Sequence, residues 1–322
     1  MSKSRVESGP MRVAIGQISP VFLDRARTVE KVKQTISEAA DAGASLVAFG
    51  ETLVPAYPLW LGRTGGARFD DDDQKTLHAL YLREAVDIRR GDLDAICSLC
   101  AQRGIATVLG VAELGSDRGG HTIYCSAVFI GSDGAIGSVH RKLMPTYEER
   151  LSWGVGDGHG LRVHPVGPFT VGALNCWENW MPLARTALHG QGENLHIAIW
   201  PGCERLTRDI TRFVALEGRS YVVSASSIIR EQDIPAGVPL RDRMVEPGEA
   251  VYDGGSCIAA PDGSWLVEPV MGEERLIVAE LDPELVRRER QNFDPSGHYA
   301  RPDVLRLDVD RRRDAGTRFQ DS

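Results

Sequence analysis

The stretch VGALNCWENWMPLARTALH, residues 171–189, decides the fold. Its first five residues form an apolar run that predicts a buried strand, and Pro182 suits the first turn of a helix. Cys176 therefore lies at a strand-to-helix turn. Backbone N–H groups and the helix dipole at such a turn favour a thiolate and stabilise an oxyanion. The alternative is a small apolar residue buried in the core, and position alone leaves both interpretations open.

The same alternation of strand and helix patterns continues along the chain. Apolar runs predict strands at residues 11–18, 44–50, 105–113, 123–130, 135–140, 169–174, 195–200, 221–229 and 276–281, and residues 256–260 and 265–269 flank a turn as a hairpin. Helical spacing appears near residues 29–39, 93–103, 182–189 and 207–217. The alternation predicts an α/β fold, and the hairpins predict mixed sheets. Residues 62–74 and 231–249 are expected to be long loops.

The composition is that of an ordinary globular protein. The chain has 322 residues, of which 42% are apolar and 25% charged, and its net charge is −8. These values exclude collagen-like and mainly disordered chains, and the acidic balance argues against nucleic-acid binding. No run approaches the roughly 18 apolar residues of a membrane helix, and residues 1–10 lack the apolar core of a signal peptide. We therefore expect a cytoplasmic protein, with no membrane partner, whose six cysteines are thiols.

Two further residues have a position like that of Cys176. Glu51 ends the apolar run 44–50, and Lys142 follows the run 135–140. Burial of a carboxylate at a strand end disfavours its charged form and gives it a pKa suited to a general base. An ammonium beside it stays charged and stabilises a developing anion. A capping glutamate and a surface lysine are the alternatives, but with Cys176 these residues would supply base, stabiliser and nucleophile.

Four stretches make the chain resemble the nitrilase, or carbon–nitrogen hydrolase, superfamily, and within it the bacterial members of the true nitrilase branch. They are GETLVPAYPLW (50–60), HRKLMPTYEER (140–150) with WGVGDG (153–158), NCWENWMPL (175–183) and FDPSGHYARPD (293–303). The resemblance implies one carbon–nitrogen hydrolase domain over residues 11–303. A disordered segment, residues 1–10, is expected before it and a tail, residues 304–322, after it.

The resemblance also implies a fold and a set of roles. The fold is a four-layer αββα sandwich with two mixed β-sheets, and the assembly is a homodimer or a larger homo-oligomer. By resemblance, Cys176 is the nucleophile, Glu51 the general base and Lys142 the stabiliser. Glu149 would position the lysine or the attacking water. Glu148 is the alternative to Glu149, although the spacing of the motif favours Glu149.

The implied reaction is the hydrolysis of an organic nitrile by two waters to a carboxylic acid and ammonia. It proceeds through a thioimidate and a thioester on the cysteine and requires neither a metal nor an organic cofactor. Early loss of the thiol would release an amide as a by-product. Tyr57, Trp177 and Trp200 are expected to line the pocket for this small-molecule substrate, with ordinary core aromatics as the alternative.

Other functions stay open at this point. An amidase, a carbamoylase or a cyanide-converting enzyme would share the three residues, although Trp177 and the GHY sequence at 297–299 favour a nitrilase. Cys97 and Cys100 form a CxxC pair that suits a zinc or redox protein, but no second pair with zinc spacing follows. Cys203 is a second candidate nucleophile, and His298 is expected to serve structure or assembly. A non-catalytic interaction protein is disfavoured because no member of the triad is lost.

Overall fold

The structure, a computed structural model, describes residues 9–313 and residue 317. The strands are β1 (Met11–Gln17), β2 (Leu46–Phe49), β3 (Ala106–Leu114), β4 (Ile123–Ile130), β5 (Ile136–Arg141), β6 (His164–Val166), β7 (Phe169–Asn175), β8 (Leu195–Trp200), β9 (Tyr221–Ser226), β10 (Ile228–Arg230), β11 (Ala250–Ala259), β12 (Trp265–Met271) and β13 (Arg275–Leu281). The helices are α1 (Arg25–Asp41), α2 (Trp60–Arg63), α3 (Asp72–Glu84), α4 (Asp94–Arg103), α5 (Pro182–His189), α6 (Glu204–Gly218), α7 (Arg241–Met244) and α8 (Pro283–Glu289).

The strands form two mixed sheets, as the hairpin patterns predict. The six-stranded sheet has the order β13-β1-β2-β3-β4-β5, in which only the β1–β2 and β2–β3 pairs are parallel. The seven-stranded sheet has the order β10-β11-β9-β8-β7-β6, with β12 added on β11. Its β7–β8 and β8–β9 pairs are parallel. Parallel pairs need crossover connections, and the helices supply them.

The two sheets pack face to face and carry helices on their outer faces. Apolar side chains from both sheets fill the space between them, including Val13, Ile15, Val108, Ile197 and Val223. On one outer face, α1 and α4 bury their apolar sides against the six-stranded sheet. On the other, α5 and α6 cover the seven-stranded sheet. The architecture is therefore the αββα sandwich that the resemblance implies.

Local sequence explains the first helix and the late hairpin. Asp24 caps α1 by accepting from the N–H of Arg27, and the predicted apolar positions of α1 are buried. Between β11 and β12, the N–H of Gly263 donates to the carbonyl of Ala260 at 2.8 Å, and Gly263 has a φ of +77° that favours glycine. Both predictions are confirmed.

The structure corrects three of the predicted elements. Residues 62–74 are not a continuous loop, because they include the end of α2 and the start of α3. The acidic run that suggests a loop is a helix start: Asp71 caps α3, and acidic residues in its first turn stabilise the helix dipole. Residues 231–249 contain a 3₁₀ turn and α7, and the apolar run 221–229 divides into β9 and β10.

The chain ends are described only in part. The expected disorder of residues 1–10 falls mostly on residues 1–8, which lie outside the described residues. In the tail, Arg313 donates to the carbonyl of Val139 at 2.8 Å, and His159 Nδ1 lies 3.1 Å from the carbonyl of Arg311. Across the described residues, none of the helices combines the length and the apolar character needed to cross a membrane.

Candidate active site

The predicted site residues follow strands of both sheets. Glu51 comes shortly after β2 and Lys142 directly after β5, both in the six-stranded sheet, whereas Cys176 directly follows β7 of the seven-stranded sheet. Glu149 lies in the 3₁₀ turn Tyr147–Leu151. The fold buries all four residues, each with at most 2% of its surface exposed, at one place where the two sheets meet.

Lys142 is the centre of the cluster. Its Nζ donates to Glu51 Oε1 at 2.9 Å and to Glu149 Oε2 at 2.7 Å, and it lies 5.5 Å from the ring centroid of Trp153. Burial alone would lower the pKa of Lys142, but the nearby carboxylates of Glu51 and Glu149 outweigh it and raise the pKa well above its usual value. Lys142 therefore stays an ammonium.

Glu149 is the glutamate of the Glu148–Glu149 pair that contacts the lysine. The Tyr57 hydroxyl donates to its Oε1 at 3.0 Å, and the N–H of Thr146 donates to its Oε2 at 2.6 Å. The Thr146 side chain in return accepts from the backbone of the same turn, which makes a capping box. The carboxylate thus both shapes the turn and fixes Lys142.

Glu51 has one oxygen fully occupied and one free. Its backbone N–H donates to the carbonyl of Trp200 at 3.0 Å, and its Oε1 accepts from Lys142 and from the Cys125 thiol at 3.3 Å. Oε2 is buried and has no hydrogen-bond partner among the described residues. Burial raises the pKa of Glu51 to about 7, against the lowering effect of Lys142. A carboxylate with this pKa can accept and return a proton near neutral pH.

Cys176 begins a 3₁₀ turn, Cys176–Trp180, with a φ of +45°. The left-handed region costs a residue other than glycine about 1–3 kcal/mol and persists only where the surroundings enforce it. The helix α5 begins at Pro182, as predicted, and the 3₁₀ turn lies between Cys176 and this helix. Burial, together with the two carboxylates, raises the pKa of the Cys176 thiol well above its usual value, while Lys142 and the N–H of Trp177 lower it. The resting sulfur is a neutral thiol that needs a base.

Glu178 joins the two strand ends that carry Lys142 and Cys176. Its carboxylate accepts from the backbone N–H of Asn175 at 2.9 Å and from that of Leu143 at 2.7 Å. His140 Nε2 lies 2.9 Å from the same carboxylate. These bonds connect the backbone beside Lys142 to the backbone beside Cys176. Burial alone would raise the pKa of Glu178, but His140 and the two N–H groups lower it overall.

The three aromatic residues expected in the pocket lie in different surroundings. Tyr57 is brought to the site through Glu149, and its ring makes edge contacts with Trp153 and Tyr252. Trp200 is completely buried, and its Nε1 donates to the Ser224 hydroxyl at 3.2 Å. Trp177 is 46% exposed, with its ring 6.3 Å from that of the equally exposed Trp180.

Four residues near the site lie outside the sequence-based set. They are Cys125, Trp153, Glu178 and Tyr252, whose ring makes an edge contact with that of Tyr57. Glu178 has a sequence signal, because an Asn followed three residues later by Glu is a capping-box pattern. Cys125 and Tyr252 lie inside strands and have none.

The remaining sequence candidates are separate from this cluster. Cys97 and Cys100 lie on α4 among apolar side chains, and the Cys100 thiol contacts the Thr107 hydroxyl at 3.3 Å. All six cysteines are free, as expected. Cys203 precedes α6 and is partly exposed, and His298 is exposed beside Tyr299.

Within residues 9–313, one group of side chains has donor atoms close enough to hold a metal ion. Single atoms of Glu51, Glu149 and Cys176 lie within 4.8 Å of one another. The Lys142 ammonium already bonds one oxygen of each carboxylate. It therefore supplies a positive charge beside this donor set, and an added cation would be repelled by it.

Comparison with known proteins identifies the family. The carbon–nitrogen hydrolase family model matches residues 12–291. The chain belongs to this family. Among its carbon–nitrogen hydrolase relatives, a protein named nitrilase 2 from an unknown prokaryotic organism is 35% identical over 98% of this chain and 97% of its own length. An aliphatic nitrilase from Sinorhizobium fredii (strain HH103) is 36% identical, covering 93% of this chain and 95% of its own.

Other relatives carry a second activity in their names, and solved structures share the fold. A bifunctional nitrilase/nitrile hydratase from Nicotiana tabacum is 35% identical over 93% of this chain and 86% of its own length. The crystal structure of an amidase from Nesterenkonia sp. superposes with a TM-score of 0.64. The superposition covers 90% of this chain and 98% of the amidase, at 18% identity. At that identity the likeness shows the αββα fold alone.

Proposed function

We propose that the protein is a nitrilase that hydrolyses an organic nitrile with two waters to a carboxylic acid and ammonia. The observation that carries the proposal is the Lys142 ammonium bonded to both Glu51 and Glu149, with single atoms of both carboxylates and the Cys176 sulfur within 4.8 Å. The nitrilase names of relatives that match nearly the whole chain support nitriles as the substrate class.

In the first half of the reaction, the cysteine adds to the nitrile carbon. The Cys176 thiol gives its proton to the unpartnered Oε2 of Glu51 as the sulfur forms a bond to carbon. One π bond of the C≡N group breaks, and the nitrogen takes the proton from Glu51, which gives a thioimidate. Lys142 and the N–H of Trp177 stabilise the negative charge that develops.

In the second half, two waters complete the hydrolysis. Glu51 takes a proton from the first water as the water oxygen bonds to the thioimidate carbon, and Glu51 passes this proton to the nitrogen. The proton of the new hydroxyl then moves through Glu51 to the nitrogen, and the tetrahedral species loses ammonia to leave a thioester. The second water attacks the thioester and releases the carboxylic acid and the Cys176 thiol. These steps use only side chains and water.

The tetrahedral species has a second route. If the thiol leaves before ammonia does, the product is an amide, and we expect a minor amide fraction. The relative named as both nitrilase and nitrile hydratase supports this side product. Separating the acid and the amide by liquid chromatography measures how the two routes divide.

Substrate profiling tests the proposal. The purified protein is assayed for ammonia, acid and amide with aliphatic, aromatic and arylacetonitrile substrates, inorganic cyanide, and matched amides and carbamoyl compounds. We expect acid from nitriles, lost in Cys176→Ala and retained in Cys203→Ala, which removes the partly exposed thiol before α6. Turnover of amides or cyanide without turnover of nitriles would assign an amidase or a cyanide-converting enzyme instead.

We also propose an oligomeric state, a cellular location and a domain organisation for the protein. Family membership and exposed apolar side chains such as Trp180, Leu183 and Phe213 support a homodimer or larger homo-oligomer, which sedimentation velocity measures. Six free thiols support a cytoplasmic location, and the net charge of −8 supports the absence of a nucleic-acid partner. The core shared by strands from β1 to β13 supports one domain over residues 11–303.

A further inference from the structure

A row of buried polar side chains lies behind the turn that carries Cys176. Asn179, His196 and Glu193 are all fully buried. Asn179 Nδ2 donates to the carbonyl of Cys176 at 2.8 Å and to that of Leu174 at 3.3 Å. His196 Nε2 lies 2.7 Å from Asn179 Oδ1, and His196 Nδ1 lies 2.8 Å from Glu193 Oε1. The row thus runs from the nucleophile's own backbone to a carboxylate.

The chemistry of donors and acceptors fixes where the protons lie. Two backbone carbonyls can only accept, so their partner must be the NH₂ group of Asn179 and its Oδ1 must face His196. Because Oδ1 also only accepts, His196 Nε2 carries a proton. One further proton lies between His196 Nδ1 and Glu193 Oε1, which leaves this pair with no net charge. Every bond in the row then has one donor and one acceptor.

The row acts on the part of the backbone that sets the direction of the thiol. The φ of Cys176 is +45°, a conformation that a cysteine rarely adopts. Asn179 bonds the backbone before and after this dihedral, at the carbonyls of Leu174 and of Cys176 itself. The Arg185 guanidinium donates to the backbone carbonyl of Asn179 and also to the carboxylate of Glu217.

We propose that Asn179, oriented by the His196–Glu193 pair, is a positioning residue that keeps Cys176 in its left-handed conformation and so aims the sulfur at the substrate carbon. The inference rests on the proposed function, since it concerns the turn that holds the proposed nucleophile. Asn179 acts through the backbone of Cys176, so its loss should slow the chemical step more than it weakens substrate binding.

Three single variants test the proposal. Asn179→Ala removes both donors to the turn. His196→Gln keeps an N–H that can donate to Asn179 Oδ1. Asn194→Ala is the matched control, because Asn194 Oδ1 accepts from the N–H of Thr170 at 2.6 Å where β7 begins, at the opposite end of the strand from Cys176. Each variant is compared with wild type for kcat, KM, Tm and the rate at which iodoacetamide alkylates Cys176, followed by peptide mapping.

In Asn179→Ala we expect kcat to fall about 10- to 100-fold with KM changed less than threefold, since small misplacements of a reacting group have effects of this size. Cys176 alkylation should fall in parallel, while His196→Gln stays closer to wild type and Asn194→Ala keeps wild-type kcat. A kcat and an alkylation rate in Asn179→Ala equal to those of Asn194→Ala would overturn the proposal, even if Tm falls. Alkylation needs no nitrile, so a wild type that hydrolyses none would refute the function and leave this test intact.

Discussion

The Cys125 thiol donates to Glu51 Oε1 at 3.3 Å, the same oxygen that accepts from Lys142. Both donors occupy one side of the carboxylate, and Oε2 is left without a hydrogen-bond partner among the described residues. An unpartnered buried oxygen is the more basic end of a carboxylate, because no donor stabilises its charge. The asymmetry therefore directs proton transfer to Oε2.

Protonation of Glu51 should lower kcat/KM at acidic pH. The base form is needed for the reaction, and burial raises the pKa of Glu51 to about 7. Because the carboxylate becomes protonated as the pH falls through this value, kcat/KM should decline below about pH 7. We expect a pH profile of kcat/KM to show this midpoint and Glu51→Gln to be inactive at every pH. A midpoint near the ordinary glutamate value of 4.5 would contradict the assignment.

Removing the Cys125 thiol should shift the midpoint of the kcat/KM profile to higher pH. The S–H bond stabilises the charged form of Glu51 and lowers its pKa, so Cys125→Ala should raise the pKa and shift the midpoint of kcat/KM to higher pH. Cys125→Ser retains a donor and should shift it less. Cys257→Ala serves as the control, because Cys257 is also buried and its thiol donates to Thr211 at 3.5 Å. Equal profiles for Cys125→Ala and Cys257→Ala would show that the bond has no effect on the base.

The pattern of apolar runs predicts where strands end better than it predicts which way their side chains point. Glu51, Lys142 and Cys176 each follow a predicted strand, and the structure brings them into one buried cluster. Trp200 also ends a predicted strand, but side chains alternate along a strand. In β8, Ile197 and Ile199 face the other sheet, whereas Trp200 packs with residues of α6. When both faces of a strand are buried, the sequence alone does not tell them apart.

Contacts within a strand interior are harder to predict than strand ends. Cys125 lies in the middle of β4, where all eight residues are buried. Nothing local separates it from its apolar neighbours, and its contact with Glu51 joins residues 74 positions apart. The helix α3 was missed for a different reason, because a run of acidic residues occurs both in loops and at helix starts.

Replacing Lys142 should affect both activity and stability. Lys142→Met leaves Glu51 and Glu149 as buried carboxylates without their cation, which costs about 3–5 kcal/mol of unfolding free energy for a broken buried pair. Loss of one charge-stabilising donor should lower kcat about 10²- to 10³-fold. Urea unfolding and steady-state kinetics measure the two effects.

Two comparisons make the Lys142 result specific. Adding Glu149→Gln to Lys142→Met should recover part of the lost stability, since one buried charge is removed, without restoring kcat. Lys75→Met should leave the unfolding free energy nearly unchanged, because Lys75 is exposed and pairs with Asp70 at the surface. A Lys142→Met protein as stable as Lys75→Met would contradict the buried ion pairs.

Ionisation of Glu178 should make the free energy of unfolding depend on pH in the acidic range. Its pKa is lower in the folded protein than its ordinary value of 4.5, so it stabilises the fold when ionised, above that value. As the pH falls below 4.5 toward the folded pKa, protonation removes this contribution. We expect the unfolding free energy in urea to drop less between pH 7 and pH 3 in Glu178→Gln than in wild type. An equal drop would mean that other carboxylates account for the acid sensitivity.

The role of Trp177 can be separated from that of its neighbour. Trp177 and Trp180 are 46% and 45% exposed and belong to the same 3₁₀ turn. Replacing either should therefore lower the free energy of unfolding by about the same amount. Only Trp177 directly follows Cys176, the proposed nucleophile. If Trp177 lines the pocket, Trp177→Ala should raise KM for aromatic nitriles more than for small aliphatic ones, because a flat ring loses more contact area. Trp180→Ala should leave the ratio of the two KM values unchanged. Equal ratios in both variants would place the substrate away from this surface and leave Tyr57, which bonds to Glu149, as the predicted pocket residue that contacts the cluster.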